Sequence, residues 1–176
     1  VNQLKRPNAF ITPQGRAAEH LLFGALREVL DEMNGSGGDY IIPNNGHFDT
    51  TGANIGAVGI EPMNLFGGNV LEPYDHRKMD RENPFKGDMD TARLEALIKE
   101  KGRDMIPLIY LTITNNTVAG QPVSMANIKA VHEIAKRYDI PLFFDACRFA
   151  ENAAFIRQFE KGFEKRSIRS LVQEMF

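Results

Sequence analysis

Cysteine is almost missing from this chain: Cys147 is the single one in 176 residues, so no internal disulfide can staple the fold. The first seven residues, Val1-Asn2-Gln3-Leu4-Lys5-Arg6-Pro7, lack the apolar stretch of a secretion signal, and with the lone thiol this fits a reducing cytoplasm. Neither sign of charge is in excess. Twenty-one Lys and Arg against 23 Asp and Glu give a net charge of −2, which leaves no electropositive surplus for a nucleic-acid backbone or an anionic membrane. Long apolar runs are absent too: residues 107–113 and 142–144 fall far short of the ~18 to 20 residues a membrane-spanning helix needs. No GxxxxGK or GxGxxG motif occurs and no period of 20 to 50 residues repeats, which excludes the common nucleotide loops and solenoids. His20, His47, His76 and His132 stand apart without metal-ligand spacing, so no metal site is expected from them.

What remains is an ordinary folding composition, 43% hydrophobic and 25% charged, at a length suited to one α/β domain. Apolar residues at Ala18, Leu21, Leu22, Ala25, Leu26, Val29, Leu30 and Met33 recur at helical spacing, and Asn34-Gly35-Ser36-Gly37-Gly38 stops them. Residues 40–43 read as a short buried strand that runs into a polar loop through Phe48-Asp49-Thr50-Thr51. Residues 57–60 and 68–71 predict short strands, and residues 72–86, with Pro73 and Pro84 and many charges, predict a solvated connection. Asp90 is placed to cap a helix over residues 91–101 that Gly102 closes, and Ser124 to cap one over residues 125–138. Residues 107–113 and 140–145 are β-prone and apolar on both faces, and the last five residues still look helical. Strand, helix, strand of this kind is a right-handed parallel crossover, so the expected fold class is α/β with a mostly parallel sheet flanked by helices.

Open parallel sheets bind ligands beyond the carboxyl ends of their strands, which singles out Phe48-Asp49-Thr50-Thr51, Thr114-Asn115-Asn116-Thr117 and Asp145-Ala146-Cys147-Arg148. Gln14-Gly15-Arg16 opens the first helix, either as a phosphate cup of free N–H groups and a guanidinium or as a plain helix start with a surface arginine. Asp145, at the end of an apolar strand, pairs structurally with Arg148 or else holds a proton on a heteroaromatic ring nitrogen while Arg148 contacts the same ligand. Phe48 fills the core or stacks on a ligand; Asp49 caps a turn or acts as a base; Asn116 serves the backbone or the site. Glu19 and Glu151 read as solvated or paired. Cys147, with no cysteine or histidine beside it, does not read as a nucleophile or a ligand.

Five stretches, in order, resemble one family. They are Thr12-Pro13-Gln14-Gly15-Arg16-Ala17-Ala18-Glu19, Phe48-Asp49-Thr50-Thr51, Phe85-Lys86-Gly87-Asp88-Met89-Asp90, Gly120-Gln121-Pro122-Val123-Ser124-Met125-Ala126-Asn127, and Asp145-Ala146-Cys147-Arg148-Phe149-Ala150-Glu151-Asn152-Ala153. The chain resembles the β-eliminating lyases, the family of tryptophanase and tyrosine phenol-lyase, which use pyridoxal 5′-phosphate on the large domain of the aspartate-aminotransferase fold. The resemblance implies that Gln14, Gly15 and Arg16 hold the cofactor phosphate, Phe48 stacks on the pyridine ring and Asp145 pairs with its nitrogen. It places Asn116 and Arg148 near the ring's phenolic oxygen and the substrate, giving Asp49, Asp145 and Arg148 catalytic roles.

An acid at Asp49 and the long spacing from Arg16 to Phe48 are closer to the tryptophanase side, implying cleavage of L-tryptophan to indole, pyruvate and ammonia. Tyrosine phenol-lyase activity and a noncatalytic remnant are the alternatives. Family members are homotetramers that need a monovalent cation such as potassium. Ala119, Cys147 and Gly52-Ala53-Asn54 depart from the family pattern. The family's Schiff-base lysine lies downstream of the Asp-x-x-Arg block, and none of this chain's lysines sits in the matching motif. Residues 1–176 are therefore expected to be a single α/β segment of the large domain, without the small domain, that is inactive alone.

Overall fold

The computed structural model describes residues 9–68, 70 and 84–176. Four parallel strands form one sheet in the order β2-β1-β3-β4, with β1 at Ile41–Asn44, β2 at Glu61–Asn64, β3 at Ile109–Thr112 and β4 at Leu142–Asp145. Around them lie α1 (Gly15–Asn34), α2 (Asp49–Ala57), α3 (Thr91–Lys101), α4 (Met125–Arg137), α5 (Phe149–Phe159) and α6 (Ile168–Met175). Successive strand side chains point to opposite faces, and the core obeys that period. Ile109, Leu111 and Ile113 pack with Leu94, Ile98, Ile128 and Val131 of α3 and α4, whereas Leu108 and Tyr110 pack with Phe23 and Leu30 of α1 and Ile55 of α2. The result is a sheet with a helical layer and a separate apolar core on each face.

The caps stand where the sequence places them. Asp90 accepts from the Arg93 amide at 2.9 Å, and Ser124 Oγ from the Asn127 amide at 3.0 Å. Two regions differ from expectation. The expected loop at residues 48–51 is instead the start of helix α2 over Asp49–Ala57, and the expected strand at 57–60 is the end of that helix and a turn, with the strand displaced to Glu61–Asn64. Gly52 and Gly56 are poor helix formers and hide the signal. Burial of Thr51 and Ile55, one helical turn apart, outweighs that propensity. Pro62 is tolerated in β2 because, among the described residues, that strand pairs on one side alone, with β1. The expected strand at 68–71 is not formed at Gly68 and Val70, which lie in turns, and its other two residues fall outside the described set. The expected solvated connection over 72–86 lies mostly outside it too, but its end is not solvated, since Phe85 and Lys86 are buried.

The connection from β1 to β2 leaves on one side of the sheet, and β3 lies on the other. Loops at the carboxyl ends of β1 and β3 therefore diverge, and the gap between them is where open parallel sheets bind ligands.

Candidate functional site

The β1–β3 ladder is short, with Asn44 opposite Tyr110 as its single pair, and side chains continue it. Asn45 acts as a second backbone, its Oδ1 accepting from the Thr112 amide at 2.9 Å and its Nδ2 donating to the Thr112 and Gly87 carbonyls at 3.0 and 2.8 Å. Asn115 Nδ2 donates to the Asn45 carbonyl at 2.8 Å. This buried amide set fixes the two loops leaving β1 and β3 relative to each other.

His47 follows, and it is held rather than offered to solvent. Its backbone amide donates to Asn64 Oδ1 at 2.8 Å, its Nδ1 lies 2.9 Å from the same oxygen, and its carbonyl accepts from Thr117 Oγ1 at 2.7 Å. Burial pushes its pKa down to about 4, so the ring is neutral near pH 7. With both flanks of His47 pinned, the next residue, Phe48, projects out of the core with 39% of its surface exposed.

Three more segments meet Phe48. At the start of α1, Gln14 makes no side-chain cap and no acidic residue occupies the first turn, so the helix N-terminus keeps donors for an outside anion beside the Arg16 guanidinium. At the end of β3, Asn116 Oδ1 accepts from Arg148 Nη1 at 2.9 Å, and Thr114 Oγ1 from the same nitrogen at 3.5 Å. At the end of β4, Asp145 Oδ1 accepts from the Cys147 amide at 3.2 Å. Among the described residues no ion pair joins Asp145 to Arg148: the arginine turns Nη1 to Asn116 and Thr114 and keeps further N–H donors, and the aspartate keeps acceptor capacity.

Together these surround one cavity of about 280 Å³, near the ~300 Å³ lower end for small-molecule sites. Gln14, Gly15, Arg16, Phe48, Asn116, Asp145 and Arg148 all line it. Asp49 does not. It heads α2 just outside the wall, with its carboxylate on the adjacent Thr50 amide at 2.6 Å. Glu19, Thr50, Thr51 and Cys147 line the cavity as well; the last three fall in loops the sequence singles out, whereas Glu19 reads there as solvated or paired. For Glu19 the available signal was its helical register, one turn beyond Gly15 and Arg16. The Cys147 thiol donates to the Ile113 carbonyl at 3.5 Å and burial pushes its pKa up to about 11, so it stays a neutral wall group.

Chemically the cavity offers an anion end at Gly15 and Arg16, a flat apolar face at Phe48, a carboxylate at Asp145 and a guanidinium–amide pair at Arg148 and Asn116. That defines an open parallel α/β protein with a small-molecule-sized cavity at the carboxyl ends of its strands. Residues 4–176 match the beta-eliminating lyase family model, and the chain belongs to that family. It is 48% identical over 167 residues to a tryptophanase of Salinibacter ruber, covering 94% of this chain and 32% of that protein. A tryptophanase of Rhodobacter capsulatus is 45% identical over 94% of this chain and 33% of its own length, and one of Hyphomonas neptunium 44% over 93% and 32%. The chain thus spans about a third of the length of the curated relatives it matches. Among solved structures, that of the SepCysS–SepCysE N-terminal domain complex aligns with 73% of this chain and 29% of its own, with a TM-score of 0.46 and 17% identity, too distant to carry an argument.

Family membership implies pyridoxal 5′-phosphate, and the donor set suits it. The uncapped helix start matches a phosphate, the half-exposed phenyl ring matches a pyridine face, and the acceptor at Asp145 matches a protonated ring nitrogen. No helix among the described residues is long and apolar enough to cross a membrane.

Proposed function

We propose that this chain forms the cofactor-facing wall of a pyridoxal-phosphate-dependent lyase that eliminates the aromatic side chain of an amino acid, with L-tryptophan as substrate and indole, pyruvate and ammonia as products. The observation that carries the reading is the convergence of Gln14, Gly15, Arg16, Phe48, Asn116, Asp145 and Arg148, drawn from four separate stretches, on one cavity. The relatives' names, tryptophanase in three species, support tryptophan over tyrosine. Potassium and a homotetramer belong to this reading on the strength of the family resemblance.

When bound, the cofactor supplies an electron sink that acidifies the substrate Cα–H. In this reading Gly15 and Arg16 bind its phosphate, and Phe48 orients the ring and shields one face from water. Asp145 holds a proton at the ring nitrogen, which its carboxylate favours as the nearby anion. Arg148, steadied by Asn116 at 2.9 Å, binds the anionic oxygens at the opposite side. Asp49, at the cavity's edge, has one acid oxygen beyond its bond to Thr50 to move a proton at the leaving ring.

The test is release of indole from L-tryptophan, and of phenol from L-tyrosine, by the complete protein supplied with pyridoxal 5′-phosphate. Asp145→Ala is expected to cut indole release by roughly 100-fold or more, the scale for losing an electrostatic group at the reacting centre. Undiminished turnover in that variant, or faster phenol than indole release from the parent, would overturn the reading.

A further inference from the structure

We propose that Glu19 is a positioning residue of this site, coupling the anion end on α1 to the ring-facing residue at the head of α2. The inference rests on the reading of the cavity as a pyridoxal phosphate site. A carboxylate in the wall of an anion-binding cavity is an electrostatic liability unless it is engaged elsewhere. Here both its oxygens are engaged by α2. Thr51 Oγ1 donates to Glu19 Oε1 at 2.5 Å, and Asn54 Nδ2 donates to Oε2 at 3.3 Å. The same Asn54 nitrogen lies 3.4 Å from the Arg16 carbonyl, so α2 grips α1 on both turns that face the cavity.

The grip reaches Phe48 directly. Phe48 is the N-cap of α2, its carbonyl accepts from the Gly52 amide at 2.9 Å, and Thr51 beside that amide is 1% exposed. On its other side Phe48 is anchored through His47 to Asn64 and Thr117, groups of the sheet and the β3 loop. At the cavity end the distance from Phe48 to Gly15 and Arg16 is therefore held by Glu19, which bridges the two helices there, while Phe23 and Ile55 pack them further in. A bare anion touches the α1 end alone and does not depend on that distance. A ligand with both a phosphate and a flat ring does.

This separation of ligands is what a merely structural role would not produce. Dissociation constants of inorganic phosphate and of pyridoxal 5′-phosphate are to be measured by titration on the full chain and on Glu19→Ala, Glu19→Gln, Thr51→Val and Arg16→Ala, with folding checked by circular dichroism. Loss of both hydrogen bonds in Glu19→Ala should weaken pyridoxal phosphate about tenfold, with phosphate affinity unchanged or higher. Thr51→Val, nearly the same shape, should show the same split, and Glu19→Gln, which keeps an acceptor for Thr51, should recover most of the affinity. Arg16→Ala should weaken both ligands. Unchanged pyridoxal phosphate affinity in Glu19→Ala and Thr51→Val, or a parallel loss of both ligands, overturns the positioning role while leaving the cavity reading intact. Failure of the unsubstituted chain to bind pyridoxal phosphate overturns both.

Discussion

Two titratable side chains, the partly buried Asp88 and the buried His47, pull stability in opposite directions as pH changes. Asp88 accepts from the Ser124 amide at 2.7 Å and its hydroxyl at 2.9 Å, yet burial, with Glu160 nearby, pushes its pKa from 3.8 up to about 6. The folded state therefore binds the Asp88 proton more tightly than the unfolded chain, and stability is lost as pH rises from 3.8 through 6. His47 behaves inversely. Its pKa falls from 6.5 to about 4, so its contribution is present above 6.5 and lost as pH falls toward 4. Asp88→Asn keeps an acceptor for the Ser124 amide and removes one of the two trends. It is expected to be more stable than the parent at pH 8 by on the order of 2–3 kcal/mol, with the gain vanishing near pH 4. Urea unfolding at the two pH values measures this, and an equal difference at both would contradict the assignment.

At this scale the sequence was unevenly legible. Asp145 stood out because a carboxylate ending an apolar strand is rare without a purpose, but its lack of an ion pair with Arg148 depends on where Asn116 and Thr114 fall, which no local pattern reveals. Glu19 was hidden for the same reason: its partners Thr51 and Asn54 are more than thirty residues away.

Among the elements, those with strong local signals were read correctly and those decided by tertiary packing were not. Capping by Asp90 and Ser124 and the apolar runs of β3 and β4 are written in a few adjacent residues. Helix α2 is not, because glycines and threonines dominate it and its reason to be helical is the groove between α1 and the sheet. Gly87 shows how tightly such packed segments are seated. A Cβ there would stand 2.3 Å from the Gln121 carbonyl oxygen and 2.7 Å from that of Pro122, where the Gly87 amide donates to Pro122 at 3.0 Å. Two backbones in contact cannot yield as a flexible side chain does. Gly87→Ala is expected to destabilise the chain by about 2–3 kcal/mol, measured as a lowered thermal midpoint, and since Gly87 also accepts from Asn45, the loop leaving β1 should loosen with it. A thermal midpoint equal to the parent's would show that the two segments can part.

For the whole molecule, topology creates the site. Parallel strands bring all their carboxyl ends to one edge, and the reversal of strand order between β1 and β3 opens the gap that Gln14, Phe48, Asn116 and Asp145 reach from four parts of the sequence. That the five sequence blocks fall into one family was legible before any coordinates. That three of them, joined by Asn116, line a single cavity, with Asp49 outside it and Glu19 in its wall, required the fold.

The central claim is that this cavity holds pyridoxal 5′-phosphate by its phosphate end and its ring together. The most direct measurement is a titration of the full chain with pyridoxal 5′-phosphate followed by induced circular dichroism in the cofactor's visible band, repeated with Arg16→Ala and Asp145→Ala. Saturable binding with an induced signal in the parent, weakened at least about tenfold in each variant, is the predicted result, since each removes one charged contact. Binding of equal strength in all three proteins, or no saturable signal in the parent, would contradict it.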